Sequence, residues 1–260
     1  MLDFSRLPDV ADIHPELKEL GERIYAAHMK AREDALEHIF GKSHPNGDIL
    51  SPIDPNLMIN WPGGGVYLYP RDERRRAWHY VTSGLAQPFP DDDSTATQEE
   101  RYSGFGIELV ISAPEQANWA PDVLLNLVRY LLFQKNARVI LPGDRLPCNG
   151  PLVLDTDTKL SFLVATSSPE YATEIMLPGG CCDLVHLVGV TEPEIGRVLS
   201  LGKGTAGSIV LCRVLEEMDV GCVSDPDRAC LTTHRDFEET WNRIRTEYQL
   251  QWEHNAKKDT

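Results

Sequence analysis

The chain has 260 residues, 42% of them hydrophobic and 25% charged, an ordinary globular composition that excludes wholesale disorder. It carries 25 Lys and Arg residues against 40 Asp and Glu residues, so its formal net charge is −15. Because this charge repels phosphate backbones and anionic lipid, we expect neither nucleic acid nor a membrane as partner.

The cysteine pattern and the first residues both predict a cytoplasmic protein with reduced thiols. Six cysteines are too few for a disulfide scaffold, and they include no C-x-x-C pair of the kind that binds zinc. Residues 1–6 lack the basic segment followed by an apolar run that a secretory signal would have. We therefore expect cytoplasmic localisation, with no cofactor and no metal.

A long amphipathic helix is predicted first along the chain. Pro15 fits its first turn, where proline is tolerated, and Gly41 is a typical residue to end it. The predicted buried face consists of apolar residues at steps of three and four: Leu17, Leu20, Ile24, Ala31, Ala35 and Ile39. The next segment, 42–62, is rich in proline and is predicted to be an irregular connection.

Strand signals follow, as runs rich in β-branched and aromatic residues at 66–69, 78–82 and 105–112. Between the second and third runs lies an acidic polar segment, 91–100, predicted to be a loop. The clearest helix is predicted from Pro121 to about Asn136, with a broad apolar stripe. Four further apolar runs, separated by turns, cover residues 139–141, 152–154, 160–166 and 184–190.

The C-terminal part is predicted to be mainly helical. Helical patterns cover 193–201 and 208–217, and 221–224 has an extended pattern. In the last helix Thr233 is the predicted N-cap, with Asp236 at the capping-box position. Its predicted buried stripe is Phe237, Trp241, Ile244 and Tyr248. We divide the chain into a lead-in at 1–60, one α+β domain at 61–230 and a C-terminal helix packed on that domain at 231–260.

Three short motifs could carry chemistry, and the context of each argues against it. Gly202-x-Gly204-x-x-Gly207 has the spacing of a dinucleotide-binding loop, but a helix rather than a strand precedes it. We interpret it as a loop that joins two helices. Asp155-Thr156-Asp157 and Asp91-Asp92-Asp93 could hold a hard cation, yet the first is a typical turn and the second lacks the glycine and glutamate of a calcium loop.

A cysteine nucleophile is the remaining catalytic alternative. Cys181 or Cys182 could attack a substrate, with His186 as the base and Asp183 beside them. The competing interpretation is two small buried thiols and a histidine that forms a local hydrogen bond inside a strand, with His79 in a similar strand. Neither G-x-S-x-G nor H-E-x-x-H occurs in the sequence, so the alternative is a hydrolase or transferase that uses this cysteine region.

Five sequence blocks, in order over roughly residues 66–226, resemble the suppressor-of-fused (SUFU) family. Trp78-His79-Tyr80 with Gly84-Leu85 resembles a WHY-x-x-x-GL block, and Ser103 to Leu109 resembles an SGFG-x-EL block. Three further blocks are similar in kind: the Trp-led helix from Trp119 to Gln134, the turns at 142–145 and 149–152, and the apolar run 185–192.

The resemblance implies a SUFU-like α+β fold, in which helices flank a mainly antiparallel or mixed sheet, and a protein-binding module rather than an enzyme. Metazoan members look like adaptors that grip an extended peptide of Gli transcription factors between two domains. Only residues 227–260 follow the matched region, so we expect neither that two-sided clamp nor a Gli-like ligand. Bacterial relatives suggest immunity proteins against secreted toxins.

The resemblance also implies candidate partner contacts in the acidic loop. The aromatic residue after the GL block falls at Phe89, and the acidic residue before SGFG falls at Glu100, with Glu99 nearly equivalent. An acidic loop beside a strand suits capture of a basic or extended peptide through charge and edge pairing. We therefore predict stoichiometric occlusion of a protein partner, such as a basic toxin or an extended peptide, with the Cys181/Cys182–His186 enzyme as the alternative.

Overall fold

A computed structural model describes residues 15–43, 54–61, 63–73, 75–87 and 101–258. The strands are β1 (Gly65–Tyr69), β2 (Trp78–Ser83), β3 (Tyr102–Ala113), β4 (Arg145–Pro147), β5 (Leu160–Thr166), β6 (Glu174–Leu177) and β7 (Gly180–Thr191). The helices are α1 (Pro15–Phe40), α2 (Pro55–Asn60), α3 (Trp119–Phe133), α4 (Glu192–Ser200), α5 (Ala206–Glu217) and α6 (Phe237–Lys258), with a 3-10 turn at Leu231–Thr233. No helix among these residues is both long enough and apolar enough to span a bilayer.

The seven strands form one mixed sheet in the order β1-β2-β3-β7-β5-β4, and β6 also pairs with β7. β3 and β7 run parallel, while the other pairs run antiparallel, which confirms the predicted fold class. β7 is the central strand. Along one edge it pairs with β6 through residues 180–183 and with β5 through residues 186–191, so it joins the two halves of the sheet.

Helices cover both faces of the sheet because alternate strand residues are apolar on both sides. α3 packs against β1, β2 and β3 on one face, around Leu109, Ile111 and Val185. On the other face, the end of α1 packs near Tyr69 and Leu184, and α4, α5 and α6 surround the far half of β7. Phe237, Trp241 and Ile244 are buried there, with Tyr248 partly buried, so the predicted stripe of the last helix packs on the chain's own core.

α1 confirms the predicted helix and its end at Gly41, whose φ of 75° favours glycine. The predicted apolar stripe is buried only in part: Ala31, Ala35 and Ile39 pack against the core as partly buried residues, whereas Ile24 is exposed. The fully buried residues follow the adjacent line of the helix, which includes two polar side chains. These buried residues, four positions apart, are His28, Arg32, Leu36 and Phe40.

Two other details differ from the sequence-based expectations. The connection 42–62 contains the helix α2, which begins at Pro55 and is capped by the Asp54 side chain accepting from the Asn56 N–H at 2.9 Å. Thr233 is not the N-cap of the last helix, since it belongs to the 3-10 turn and the helix begins after Asp236.

A buried ion pair fixes the segment that follows α5. Glu194, in the first turn of α4, accepts from both terminal nitrogens of Arg228 at 2.7 Å and from the Leu231 N–H at 2.8 Å. It also accepts from the Thr191 N–H at 2.8 Å. Because every bond is charge-assisted and the carboxylate is fully buried, this cluster holds the segment around 228–231 against α4.

Candidate partner-binding site

The predicted contacts Phe89, Glu99 and Glu100 lie outside the described residues, as does Asp91-Asp92-Asp93. The structure describes the two stems of this segment, residues 84–87 before it and 101–105 after it. The stems are hydrogen-bonded to each other: the Phe105 N–H donates to the Leu85 carbonyl at 2.9 Å, and Ser103 Oγ donates to the Ala86 carbonyl at 2.7 Å. The two stems therefore lie side by side at the beginning of β3.

Two glycines shape the second stem, and one of them, Gly104, allows it to lie this close to the first. Gly104 and Gly106 have φ values of 60° and 71°, in the left-handed region that other residues rarely adopt. A Cβ on Gly104 would lie 2.2 Å from the Gln87 carbonyl oxygen, so a side chain there would push the stems apart. The pairing of β3 with β7 shifts register in this stretch, between Tyr102 and Ile107. The SGFG block thus encodes a β-bulge that presses the stems together.

The first stem is also hydrogen-bonded to Glu108, a fully buried carboxylate in β3. Its Oε1 accepts from the Gly84 and Ala86 N–H groups at 2.9 and 3.1 Å, and its Oε2 accepts from Thr82 Oγ1 at 2.6 Å. Burial raises the pKa of Glu108, and these donors together with the Arg32 cation only partly oppose that effect. The carboxylate therefore serves as an internal anchor for the backbone that leads into the acidic segment.

α1 supplies the cation of this anchor. Arg32 is fully buried, with Nη1 3.7 Å from Glu108 Oε1, and its Nη2 contacts the Met29 sulfur. One turn earlier His28 is also fully buried, and burial together with the Arg32 charge lowers its pKa, so the ring is neutral near pH 7. One turn before that, the Tyr25 hydroxyl lies 3.4 Å from Gln87 Nε2. One line of α1 thus runs along the first stem.

The structure does not bring the cysteine nucleophile and its base together. Cys182 and His186 point to the same face of β7, but residues four apart in a strand are separated by about 13 Å. Burial, followed by the nearby Glu108 charge, raises the pKa of Cys182 well above its usual value, which disfavours a thiolate. Cys181 is also buried, on the opposite face of the strand. This geometry does not support a cysteine-dependent hydrolase or transferase.

The two strand histidines form local hydrogen bonds, as the competing interpretation predicts. His79 Nδ1 lies 2.7 Å from Ser112 Oγ, and His186 Nδ1 lies 2.8 Å from the Tyr171 hydroxyl. Burial lowers the pKa of His79 to about 4 and that of His186 to about 3. Both rings are therefore neutral and pack with Phe40 and Tyr171 under the end of α1.

The remaining motifs have structural roles. Gly202 to Gly207 joins α4 to α5, as interpreted from the sequence, and a Cβ on Gly207 would lie 2.4 Å from the Val198 carbonyl oxygen. Glycine there lets the two helices approach closely. Asp155 lies in a turn with a φ of 58°. Within the described ranges, no three His, Cys, Asp or Glu side chains are grouped closely enough to hold a metal ion.

The architecture is a mixed sheet with helices on both faces, and comparison with known proteins identifies its family. The family model described as Suppressor of fused protein (SUFU) matches residues 58–229. The chain therefore belongs to the suppressor-of-fused family. No curated protein sequence matches it.

Three solved structures have similar folds. A chain of the Sufu–Fu complex is 22% identical over 83% of this chain and 97% of its own length, with a TM-score of 0.61. Drosophila Suppressor of Fused is 22% identical over 85% of this chain and 54% of its own length, with a TM-score of 0.61. A SUFU homologue from Neisseria gonorrhoeae is 15% identical over 81% of this chain and 97% of its own length, with a TM-score of 0.54. At these identities the likeness shows the fold alone.

Sequence reasoning missed the buried group that organises the stems. Glu108 has a visible signal, since it is an acidic residue inside the apolar strand run 105–112. A carboxylate in such a position must be paired or hydrogen-bonded when the strand is buried. His28 and Arg32 have no such signal, because charged residues in a long helix are ordinarily on its solvated face.

Proposed function

We propose that this protein is a non-enzymatic binding module that acts by stoichiometric occlusion of a protein partner, through the acidic segment between the two stems. Phe89, Glu99 and Glu100 are the proposed contacts. The observation that carries the proposal is the anchoring of both stems, by the Ser103–Ala86 and Phe105–Leu85 hydrogen bonds and by Glu108. Fixed stems reduce the conformational entropy that the segment loses on binding.

Charge supports a basic partner. The chain has a net charge of −15, and residues 91–93, 99 and 100 add five carboxylates between the stems. Opposite charge accelerates encounter and fixes orientation more than it increases affinity. A secreted toxin with a basic active-site surface is one partner of this kind, and occlusion of that surface would give immunity. The Sufu–Fu complex supports partner binding by this fold, since the Sufu protein there is part of a protein complex.

Affinity capture from the source organism tests the proposal. The tagged protein is used beside a Glu99→Lys/Glu100→Lys variant, and captured proteins are quantified by mass spectrometry. The matched control, Asp157→Lys/Asp227→Lys, makes the same change in net charge at two exposed carboxylates near the other end of β7. We expect one stoichiometric partner that the control retains and the Glu99/Glu100 variant loses. Equal capture by both variants would contradict the proposed contacts, and turnover of a substrate would contradict the module itself.

A further inference from the structure

One part of the sheet carries large side chains without a covering helix. Met176 of β6 pairs with Cys181 of β7, and Cys181 pairs with Tyr102 of β3. Paired residues point to the same face, so these three side chains form a row across the sheet, which we term the Tyr102–Met176 row. α3 covers the part of this face that holds Leu109 and Ile111 of β3, whereas α1 lies on the opposite face with Ile175 and Cys182.

The ends of the row are exposed although its centre is buried. Tyr102 is 69% exposed and Met176 is 46% exposed, while Cys181 between them is 9% exposed. The Tyr102 ring lies over Gly106, where an added Cβ would come within 2.7 Å of its Cδ1. An exposed aromatic ring and a flexible thioether about 10 Å apart, two strand spacings, form a surface that can receive another side chain.

The neighbouring row carries two unneutralised carboxylates. Glu174 of β6 pairs directly with Asp183 of β7, so their side chains are on this same face, with Cβ atoms about 5 Å apart. Like charges directly opposite each other in a sheet are destabilising. None of the ion pairs among the described residues involves either carboxylate. Burial, followed by the Glu174 charge, raises the pKa of Asp183, consistent with the lack of a cation.

We propose that the Tyr102–Met176 row and the Glu174–Asp183 pair together form a docking surface for an arginine-bearing segment of a protein partner. A guanidinium is planar, so it can stack on the Tyr102 ring while its N–H groups donate to the two carboxylates. Apolar side chains beside that arginine would pack on Met176. A lysine ammonium provides neither the planar stacking nor the fork of donors, so charge alone does not satisfy this surface.

This inference rests on the proposed function and adds the chemistry of the partner. Tyr102 follows Arg101, the first residue of the second stem. The surface therefore continues from the place where the chain re-enters the sheet after the acidic segment. A partner engaged by that segment would reach the row without crossing another element. The Glu174–Asp183 pair is on β6 and β7, far along the chain from Glu99 and Glu100, so the two sets of contacts can be tested separately.

The test is a titration of the isotope-labelled full chain, followed by amide chemical shifts, with peptides of defined sequence. The probes are acetyl-Leu-Arg-Leu-Arg-Leu-amide and its lysine and glutamate counterparts. We expect the arginine peptide to cause saturable shifts at the amides of β6 and the first half of β7. Affinity for the lysine peptide should be weaker by about fivefold or more, because it lacks the stacking contribution. The glutamate peptide should cause no shifts there.

Variants then assign the contacts. Glu174→Gln/Asp183→Asn should weaken the arginine peptide by about tenfold, because both charge-assisted acceptors are lost. Tyr102→Ser should weaken it by about threefold through loss of the ring. The control Asp157→Asn/Asp227→Asn removes the same charge elsewhere and should leave the affinity unchanged, and the unbound spectra show whether each variant is folded.

Several results would overturn the inference. These are the absence of saturable shifts with the arginine peptide, shifts confined to another surface, equal binding of the lysine peptide, or equal weakening by the control variant. A captured partner that tolerates Glu174→Gln/Asp183→Asn but requires Glu99 and Glu100 would also overturn it, while leaving the proposed function intact. Conversely, peptide binding at this surface would stand even if the affinity capture recovered no partner, so the two failures are distinguishable.

Discussion

Two buried carboxylate–guanidinium pairs hold chain segments against the sheet, and they are built differently. Glu194 and Arg228 meet through two hydrogen bonds of 2.7 Å. Glu108 and Arg32 approach only to 3.7 Å, and the Glu108 oxygens instead accept from Thr82 and two backbone N–H groups. Burial by itself would raise the pKa of either carboxylate. At Glu194 the hydrogen bonds and charge of Arg228 outweigh burial, so the pKa is lowered, whereas at Glu108 burial dominates and the pKa is raised.

The difference shows that a cation 3.7 Å away and three uncharged donors do not together offset the desolvation of Glu108. Two direct hydrogen bonds from the Arg228 guanidinium do offset it at Glu194, because donor and acceptor are then both charged and in contact. The segment around 228–231 is therefore fastened by a well-satisfied pair. The stems of the acidic segment depend on a carboxylate whose ionised form is disfavoured, and they are held mainly by backbone hydrogen bonds. Of the two regions, the one next to the proposed site has the weaker ionic contribution.

The largest expected effect on stability is at the Glu194–Arg228 pair. Glu194→Gln should reduce the free energy of unfolding by about 3 kcal/mol near pH 7, because it leaves the Arg228 guanidinium buried without a counter-ion. Glu192→Gln, an exposed residue of the same helical turn, should change it by less than about 0.5 kcal/mol. Urea unfolding of the three proteins measures the difference. Similar losses for both variants would mean that Glu194 acts only through the helix N-terminus.

Glu108→Gln should cost less, about 1 kcal/mol, because the amide oxygen can still accept from Gly84 and Ala86 and because Arg32, 3.7 Å away, loses no direct hydrogen bond. The pH dependence should also have the opposite sign. The stability that Glu194 adds relative to glutamine is present above its usual pKa of 4.5 and is lost as the pH falls. Glu108 has a raised pKa, so its advantage over glutamine is greatest at low pH and declines as the pH rises above 4.5.

Urea unfolding at several pH values between about 3.5 and 7 measures both differences. Equal losses of stability with the same pH dependence in Glu194→Gln and Glu108→Gln would contradict the difference between the two pairs. The difference would be sharpened if Glu108→Gln also increased amide exchange at 84–87 while Glu194→Gln did not, since of the two carboxylates only Glu108 contacts the first stem.

The last prediction concerns the alkylation rate of Cys182, which lies near Glu108 and Arg32. Its pKa is raised by burial and then by the Glu108 charge, so alkylation at pH 7 should be at least about tenfold slower than in the urea-unfolded chain. Mass spectrometry of the native protein measures the rate, and a Cys182→Ser variant assigns it. Fast alkylation of native Cys182 would instead favour the cysteine-dependent enzyme.

Much of the fold was predictable from local patterns. The strand runs 66–69, 78–82 and 105–112 and the helices predicted from Pro15 and from Pro121 are all present, the second beginning two residues earlier, at Trp119. Their periodicities are local properties of the chain. The start of the last helix was predicted at the wrong residue. Thr233 and Asp236 have the spacing of a capping box, but the helix begins after Asp236. α2 was missed because a short helix differs little from a proline-rich turn until its Asp54 cap is seen.

The site was less predictable, because contacts between distant residues are not a local property. The family blocks located the acidic segment, but its contacts Phe89, Glu99 and Glu100 stay predictions. Glu108 lies in the SGFG-x-EL block, which does not indicate its partner, and Arg32 lies in a helix whose predicted buried face consists of apolar residues. Their partnership spans 76 positions of chain and exists only once α1 packs on β3.

By itself the sequence determined the family, the sheet-and-helix composition, the positions of most strands and the glycines that the stem bulge and the α4–α5 loop require. Those features depend on local sterics and on hydrophobic periodicity, which are written along the chain. Tertiary structure decided which polar groups are buried together, how well each buried charge is satisfied, and which side chains form the Tyr102–Met176 row. These depend on register and packing between strands that are far apart in sequence, where a shift of one residue would turn every side chain to the other face.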